Sequence, residues 1–85
     1  MAKAIQLVRV PVDVWPSRRD WHATVVNIAK QIGERVYYGD LIAELELEKV
    51  VVEIESPVRG RLKQLFVKLG DKVKPGDPIA AIDPE

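Results

Sequence analysis

The chain has 85 residues, with thirteen basic and thirteen acidic side chains, one histidine and no cysteine. A chain of this size hides only about 60% of the surface its unfolded form exposes, so it builds one modest core and reads as a single domain over residues 1–85. The missing cysteines exclude a disulfide framework and thiolate metal sites, a lone His22 makes no metal cluster, and zero formal charge removes any overall electrostatic case for nucleic acid or a membrane surface.

The amino-terminal MAKAIQLVRV lacks the long apolar stretch and cleavage site of a secretory signal, and no apolar run approaches the roughly 20 residues that span a bilayer. The expected compartment is cytoplasmic. The next segment, WPSRRDWH (15–22), reads as a loop with two tryptophans and two arginines. Trp15 and Trp21 are expected to pack rather than to serve as binding platforms, and His22 to be an ordinary loop or edge residue.

From residue 24 onward the chain repeats itself. GERVYYGDLIAEL (33–45) aligns with GDKVKPGDPIAAI (70–82) at an offset of 37 residues, with Gly33/Gly70, Val36/Val73, Gly39/Gly76, Asp40/Asp77, Ile42/Ile79 and Ala43/Ala80 identical. The alignment runs upstream without a gap, setting TVVNIAKQI (24–32) beside RLKQLFVKL (61–69). Each copy reads as strand, turn, short strand, turn, strand. The glycines sit beside acidic residues at tight turns, and no helix follows them that would make a phosphate cradle. Arrays of such units generally need three or more copies, so two copies predict a closed, two-fold symmetric sandwich of seven or eight short strands.

Within LIAELELE (41–48), Leu41, Ala43, Leu45 and Leu47 alternate with Glu44, Glu46 and Glu48, and only Ile42 breaks period two. That is the pattern of a half-buried strand; a helix would scatter Leu47, Val50 and Val51 around its circumference. After Lys49 the phase reverses. Val50, Val52 and Ile54 become the inward set, and Val51, Glu53 and Glu55 point out. A hairpin whose loop residues are Glu48 and Lys49 produces that reversal, pairing Leu47 with Val50 and Leu45 with Val52. The turn chemistry is poor, because a primed two-residue turn prefers glycine or asparagine, and Glu44 faces Glu53 across the pair. Residues 44–55 hold five glutamates and one lysine, a net charge of −4 that the rest of the chain balances with +4. Taken alone, Lys49 is a solvated turn lysine and the glutamates are the wet face of a strand.

Together these motifs resemble the lipoyl and biotinyl carrier domains over about residues 23–83. The resemblance rests on Gly33-Glu34-x-Val36-x-x-Gly39-Asp40, Glu46-x-Glu48-Lys49-Val50, Val52-Glu53-Ile54-Glu55-Ser56-Pro57-Val58-x-Gly60 and Gly70-Asp71-x-Val73-x-x-Gly76. It implies an all-β, flattened, two-fold pseudo-symmetric barrel or sandwich of two four-stranded antiparallel sheets, a barrel-sandwich hybrid. It also implies that Lys49 carries the prosthetic group as an amide, with Glu46, Glu48 and Val50 as flanking recognition residues. Lipoyl domains carry Asp-Lys-Ala with an acid two residues earlier, places that Glu48, Lys49, Val50 and Glu46 fill here. Biotin carriers place methionine on both sides of the lysine, and the only methionine in this chain is Met1. Lipoate is therefore the expected cofactor, with biotin as the alternative and an unmodified barrel acting as an assembly module as a third reading. Family members often have glycine where Ala23 stands and a Gly-containing loop at 15–22. The partners implied are a lipoate ligase or lipoyl transferase and the 2-oxo acid dehydrogenase, acyltransferase and dihydrolipoyl dehydrogenase components. The domain is expected to be a monomer with no catalytic residues of its own, binding neither nucleic acid nor membrane.

Overall fold

A computed structural model describes residues 4–12 and 22–85. Trp15, Trp21 and the two arginines between them lie outside the described residues. Eight strands follow in order: β1 (Gln6–Arg9), β2 (Ala23–Ile28), β3 (Arg35–Val36), β4 (Leu41–Leu47), β5 (Val50–Glu55), β6 (Gly60–Leu65), β7 (Lys72–Val73) and β8 (Pro78–Pro84). They form two four-stranded sheets, ordered β1-β8-β6-β3 and β5-β4-β2-β7, with every pairing antiparallel. Replacing β1, β2, β3 and β4 by β5, β6, β7 and β8 turns one sheet order into the other. The two-fold repeat read from the sequence is thus the architecture itself.

Four glycine-acid turns obey one rule. Gly33, Gly39, Gly70 and Gly76 have φ of 93°, 85°, 89° and 86°. These are third positions of type II turns, where a side chain is strained and glycine is not. The acid after each glycine closes the turn. Asp40 Oδ2 accepts from Tyr37 N, Asp77 Oδ2 from Lys74 N and Asp71 Oδ2 from Lys68 N, each at 2.9 Å, and Glu34 Oε1 accepts from Gln31 N at 3.0 Å.

The repeat also duplicates its irregularities. The β4–β5 register shifts between Leu41 and Ala43, so Ile42 and Ala43 are both fully buried; β8 against β1 does the same at Ile79 and Ala80. This bulge is why Ile42 breaks the alternation that its neighbours keep. A second pair of bulges falls at Val26 in β2 and Lys63 in β6. The core between the sheets gathers Val25, Val36, Leu45, Ile54, Leu62, Val73, Ile79 and Ile82 from both halves.

The two halves differ in the spacing of their first two strands. Val10 and Ser56 occupy equivalent sites, each exchanging backbone hydrogen bonds with the Gly-Asp of a turn: Gly76 N donates to Val10 O and Gly39 N to Ser56 O. Those residues are 46 apart, whereas Ala23 and Gly60, which open β2 and β6, are 37 apart. The first half therefore carries nine extra residues between its first two strands, and the stretch outside the described residues, 13–21, falls within that insertion.

Candidate functional site

Glu48 and Lys49 are the two loop residues of the β4–β5 hairpin, between the pairs Leu47–Val50 and Leu45–Val52 that the phase reversal predicts. Glu48 has φ of 56°, the only positive φ outside glycine among the described residues. Two-residue hairpins need that hand because it matches the right-handed twist of the strands, and a side chain there costs roughly 1–2 kcal/mol. The tip holds its shape against local preference because Leu45 and Leu47, both buried, anchor the strand behind it.

Lys49 is exposed and makes no hydrogen bond or ion pair among the described residues. An amine with no competing partner, on a stiff support, fits a covalently attached group. Val50 differs from its expected inward place: it is 58% exposed, because it opens the edge strand β5 at the tip, whereas its partner Leu47 on the interior strand β4 is buried. Val52 is half-buried and Ile54 buried, so the inward set takes hold progressively along β5.

Residues paired in register share a sheet face. The outer row nearest the tip runs Val51, Glu46, Thr24, Lys72, and Lys72 Nζ donates to Thr24 Oγ1 at 2.7 Å. The next row is Glu53, Glu44, Asn27. The predicted confrontation of Glu44 with Glu53 is present, and Asn27 Nδ2 donates to Glu44 Oε1 at 2.8 Å from the other side. Asn27 was not legible as a site residue. Unbroken pairing would set Val26 opposite Glu44 and turn Asn27 inward, and only the bulge at Val26 brings the amide onto the carboxylate's face. Glu44, Glu46, Glu53 and Glu55 form no ion pair among the described residues, and together they make the outer face of the hairpin acidic.

Two neighbours complete the tip's surroundings. Continuing the β2–β4 register backward by two residues brings exposed His22 level with Glu48. β1 runs from Gln6 toward Val10, and Val10 is bonded to the turn that follows β7, whose Val73 pairs with Ala23 at the tip end of β2. The first residues of β1 and the end of β8 paired with them therefore lie at the end remote from Lys49.

Known proteins agree with this geometry. The family model named Biotin_lipoyl and described as "Biotin-requiring enzyme" matches residues 19–82. The succinyltransferase component of the 2-oxoglutarate dehydrogenase complex of Bartonella vinsonii subsp. berkhoffii is 39% identical over 61 residues, which is 72% of this chain and 15% of that protein. The acetyltransferase component of the acetoin cleaving system of Bacillus subtilis is 42% identical over 53 residues, 62% of this chain and 13% of that protein. The chain thus spans about a seventh of the length of these relatives. Among solved structures, the lipoyl domain of the Azotobacter vinelandii 2-oxoglutarate dehydrogenase complex superposes with a TM-score of 0.69 at 25% identity, covering 88% of this chain and 94% of that one. Kluyveromyces lactis urea carboxylase shares the fold at a TM-score of 0.76 and 20% identity, over 96% of this chain and 6% of that one. The chain belongs to the family of biotinyl and lipoyl carrier domains, on the side of the lipoyl domains of 2-oxo acid dehydrogenase acyltransferases.

Proposed function

We propose that Lys49 is the attachment point of a lipoyl group, joined through an amide to its side-chain nitrogen, and that the domain carries acyl groups between the active sites of a 2-oxo acid dehydrogenase system. The observation that carries this reading is Lys49, exposed and without a side-chain partner among the described residues, on a two-residue hairpin tip flanked by Glu46, Glu48 and Val50. The bound group supplies a ring disulfide for acyl transfer and redox; the chain supplies position. Leu45 and Leu47 fix the hairpin, Glu48's left-handed backbone aims Lys49 outward, and the acidic face offers a field that steers partners and rejects wrong ones. Tethering at the tip raises the effective concentration of the arm at each enzyme it visits.

Because a carboxylate does not form an amide without activation, attachment needs an enzyme that activates the donor, a lipoate ligase or lipoyl transferase. The partners in transfer are the dehydrogenase, acyltransferase and dihydrolipoyl dehydrogenase components, with the domain itself a monomer in the cytoplasm and without catalytic residues of its own. A second reading, biotin at Lys49, draws on the family description and on the likeness to carboxylases, and lacks support from the flanks, where Glu48 and Val50 replace methionine.

Intact-mass measurement after expression with a lipoate ligase, and separately with a biotin ligase, decides between them. The expected result is one lipoyl addition that disappears in Lys49→Ala while the far-ultraviolet spectrum is unchanged. A biotin addition, or no addition with either ligase, refutes the proposal.

A further inference from the structure

The internal two-fold is a built-in control, because the same backbone positions are dressed differently on the two outer faces. On the second sheet the hairpin face carries Glu53, Glu44 and Glu55, with Ala29 just past the end of β2. Their counterparts on the first sheet are Leu7, Ala81, Arg9 and Phe66. A fold that accepts three carboxylates and an alanine at these places does not need leucine and phenylalanine at their images.

Register lays out the first sheet's outer face row by row. Leu7, Ala81 and Gln64 form one row, Arg9 and Pro78 the next toward the tip, and Asp83, Arg61 and Arg35 the row on the other side, with Ile5 reached by continuing the β1–β8 register one residue. Phe66 follows inward-facing Leu65 and precedes buried Val67, so it points out beside Pro78. Ile5, Leu7 and Phe66 are 43%, 37% and 46% exposed, and Ala81 beneath them is buried. Around this apolar centre stand Arg9, Arg35, Arg61 and Lys63, against Asp83 and Glu85. Arg9 and Arg61 spend one nitrogen each on a backbone carbonyl, Gly76 O at 3.0 Å and Gly33 O at 3.1 Å, which pins the guanidinium groups at the rim. Arg35 and Arg61 are paired directly across β3 and β6; Arg35 Nη2 donates to Glu85 Oε2 at 2.9 Å and Arg61 has Asp83 opposite it in register, so the chain itself eases this like-charge pair.

We propose that the outer face of the β1-β8-β6-β3 sheet is a second docking surface, distinct from the acidic hairpin, and that it takes an acidic polypeptide segment with spaced apolar residues. Apolar side chains of the segment rest on Leu7, Phe66, Ala81 and Pro78, and its carboxylates meet Arg9, Arg61 and Lys63. Exposed apolar surface rimmed by arginine is the composition of protein interfaces. Because this face belongs to the other sheet, a partner held there leaves the Lys49 hairpin clear. The surface does not depend on what Lys49 carries, so its failure leaves the carrier reading intact.

The test is an NMR titration of the isotope-labelled chain, with Lys49 unmodified and lipoylated, using two short synthetic peptides, one alternating leucine with glutamate and one alternating leucine with lysine. Saturable shifts at Leu7, Gln64, Phe66 and Ala81 with the glutamate peptide alone are expected in both forms. Leu7→Glu and Phe66→Ala install the residue types of the other half, so they should keep the fold, and each should weaken binding about tenfold, the loss of a single interface anchor. Equal binding of the lysine peptide, shifts confined to residues 44–55, or full affinity in both variants overturns the proposal. Self-association of the chain that Leu7→Glu abolishes also overturns it, because the occupant is then a second copy.

Discussion

Gly60→Ala probes how closely β6 and β8 approach where the first sheet begins. A Cβ built on Gly60 collides with the carbonyl oxygen of Asp83 and lies 2.9 Å from both the carbonyl carbon of Asp83 and the Cα of Pro84. All three atoms are backbone in a paired strand, with Gly60 opposite Pro84 and Arg61 opposite Asp83, so no side chain can rotate out of the way. Relief requires drawing the end of β8 off β6, which sacrifices ladder bonds worth about 1 kcal/mol each on top of an overpacking cost of about 1–3 kcal/mol. The expected loss is about 3 kcal/mol, a large part of the roughly 4–13 kcal/mol available to a domain of this size. In urea at an m-value near 1 kcal/mol/M this lowers the midpoint by about 2–3 M with the slope unchanged. The two-fold equivalent, Ala23, already carries a fully buried Cβ, and Ala23→Gly should cost only about 1–2 kcal/mol through a lost methyl and added chain freedom. A Gly60→Ala protein within about 0.5 kcal/mol of the parent would refute the close approach and the inequality of the two halves.

Gly39→Ala is milder, since nothing lies within 4 Å of its Cβ and only φ of 85° opposes it; a loss of about 1–2 kcal/mol in the same assay is expected. Leu45→Ala empties a fully buried site behind the tip and should cost about 2–5 kcal/mol, seen as a lowered thermal midpoint. Asn27→Ala leaves half-buried Glu44 facing Glu53 without its amide donor, a loss of about 1–2 kcal/mol that shrinks in a Glu53→Gln background; an equal loss in both backgrounds shows that the two carboxylates do not couple. Glu48→Gln removes charge without changing side-chain size, and should raise the KM of a lipoate ligase several-fold with kcat unaltered, read by the rate of mass addition at Lys49. An unchanged KM would mean that the ligase reads the tip's backbone and not its carboxylate.

The strands, the duplication and the lysine hairpin were legible because each leaves a periodic trace. Alternation marks a half-buried strand, its reversal at Glu48-Lys49 marks a two-residue turn, and glycine-acid pairs at a fixed offset mark turns that need positive φ. Those features come from local backbone geometry, which the sequence determines by itself. Tertiary structure decided what depends on two strands meeting. Ile42 looked like an error in the alternation until a bulge, repeated at Ile79, showed both residues buried. Asn27 became Glu44's partner only because the Val26 bulge turned it outward, and Val50 stayed in solvent because it begins an edge strand while its partner Leu47 lies on the interior strand β4. The two faces follow the same division. Sequence alone supplied the five glutamates between residues 44 and 55, since they are consecutive on one hairpin. The apolar and arginine face needed the fold, because Leu7, Arg35, Phe66 and Ala81 come from distant stretches of chain and share a surface only once β1, β3, β6 and β8 pair into one sheet.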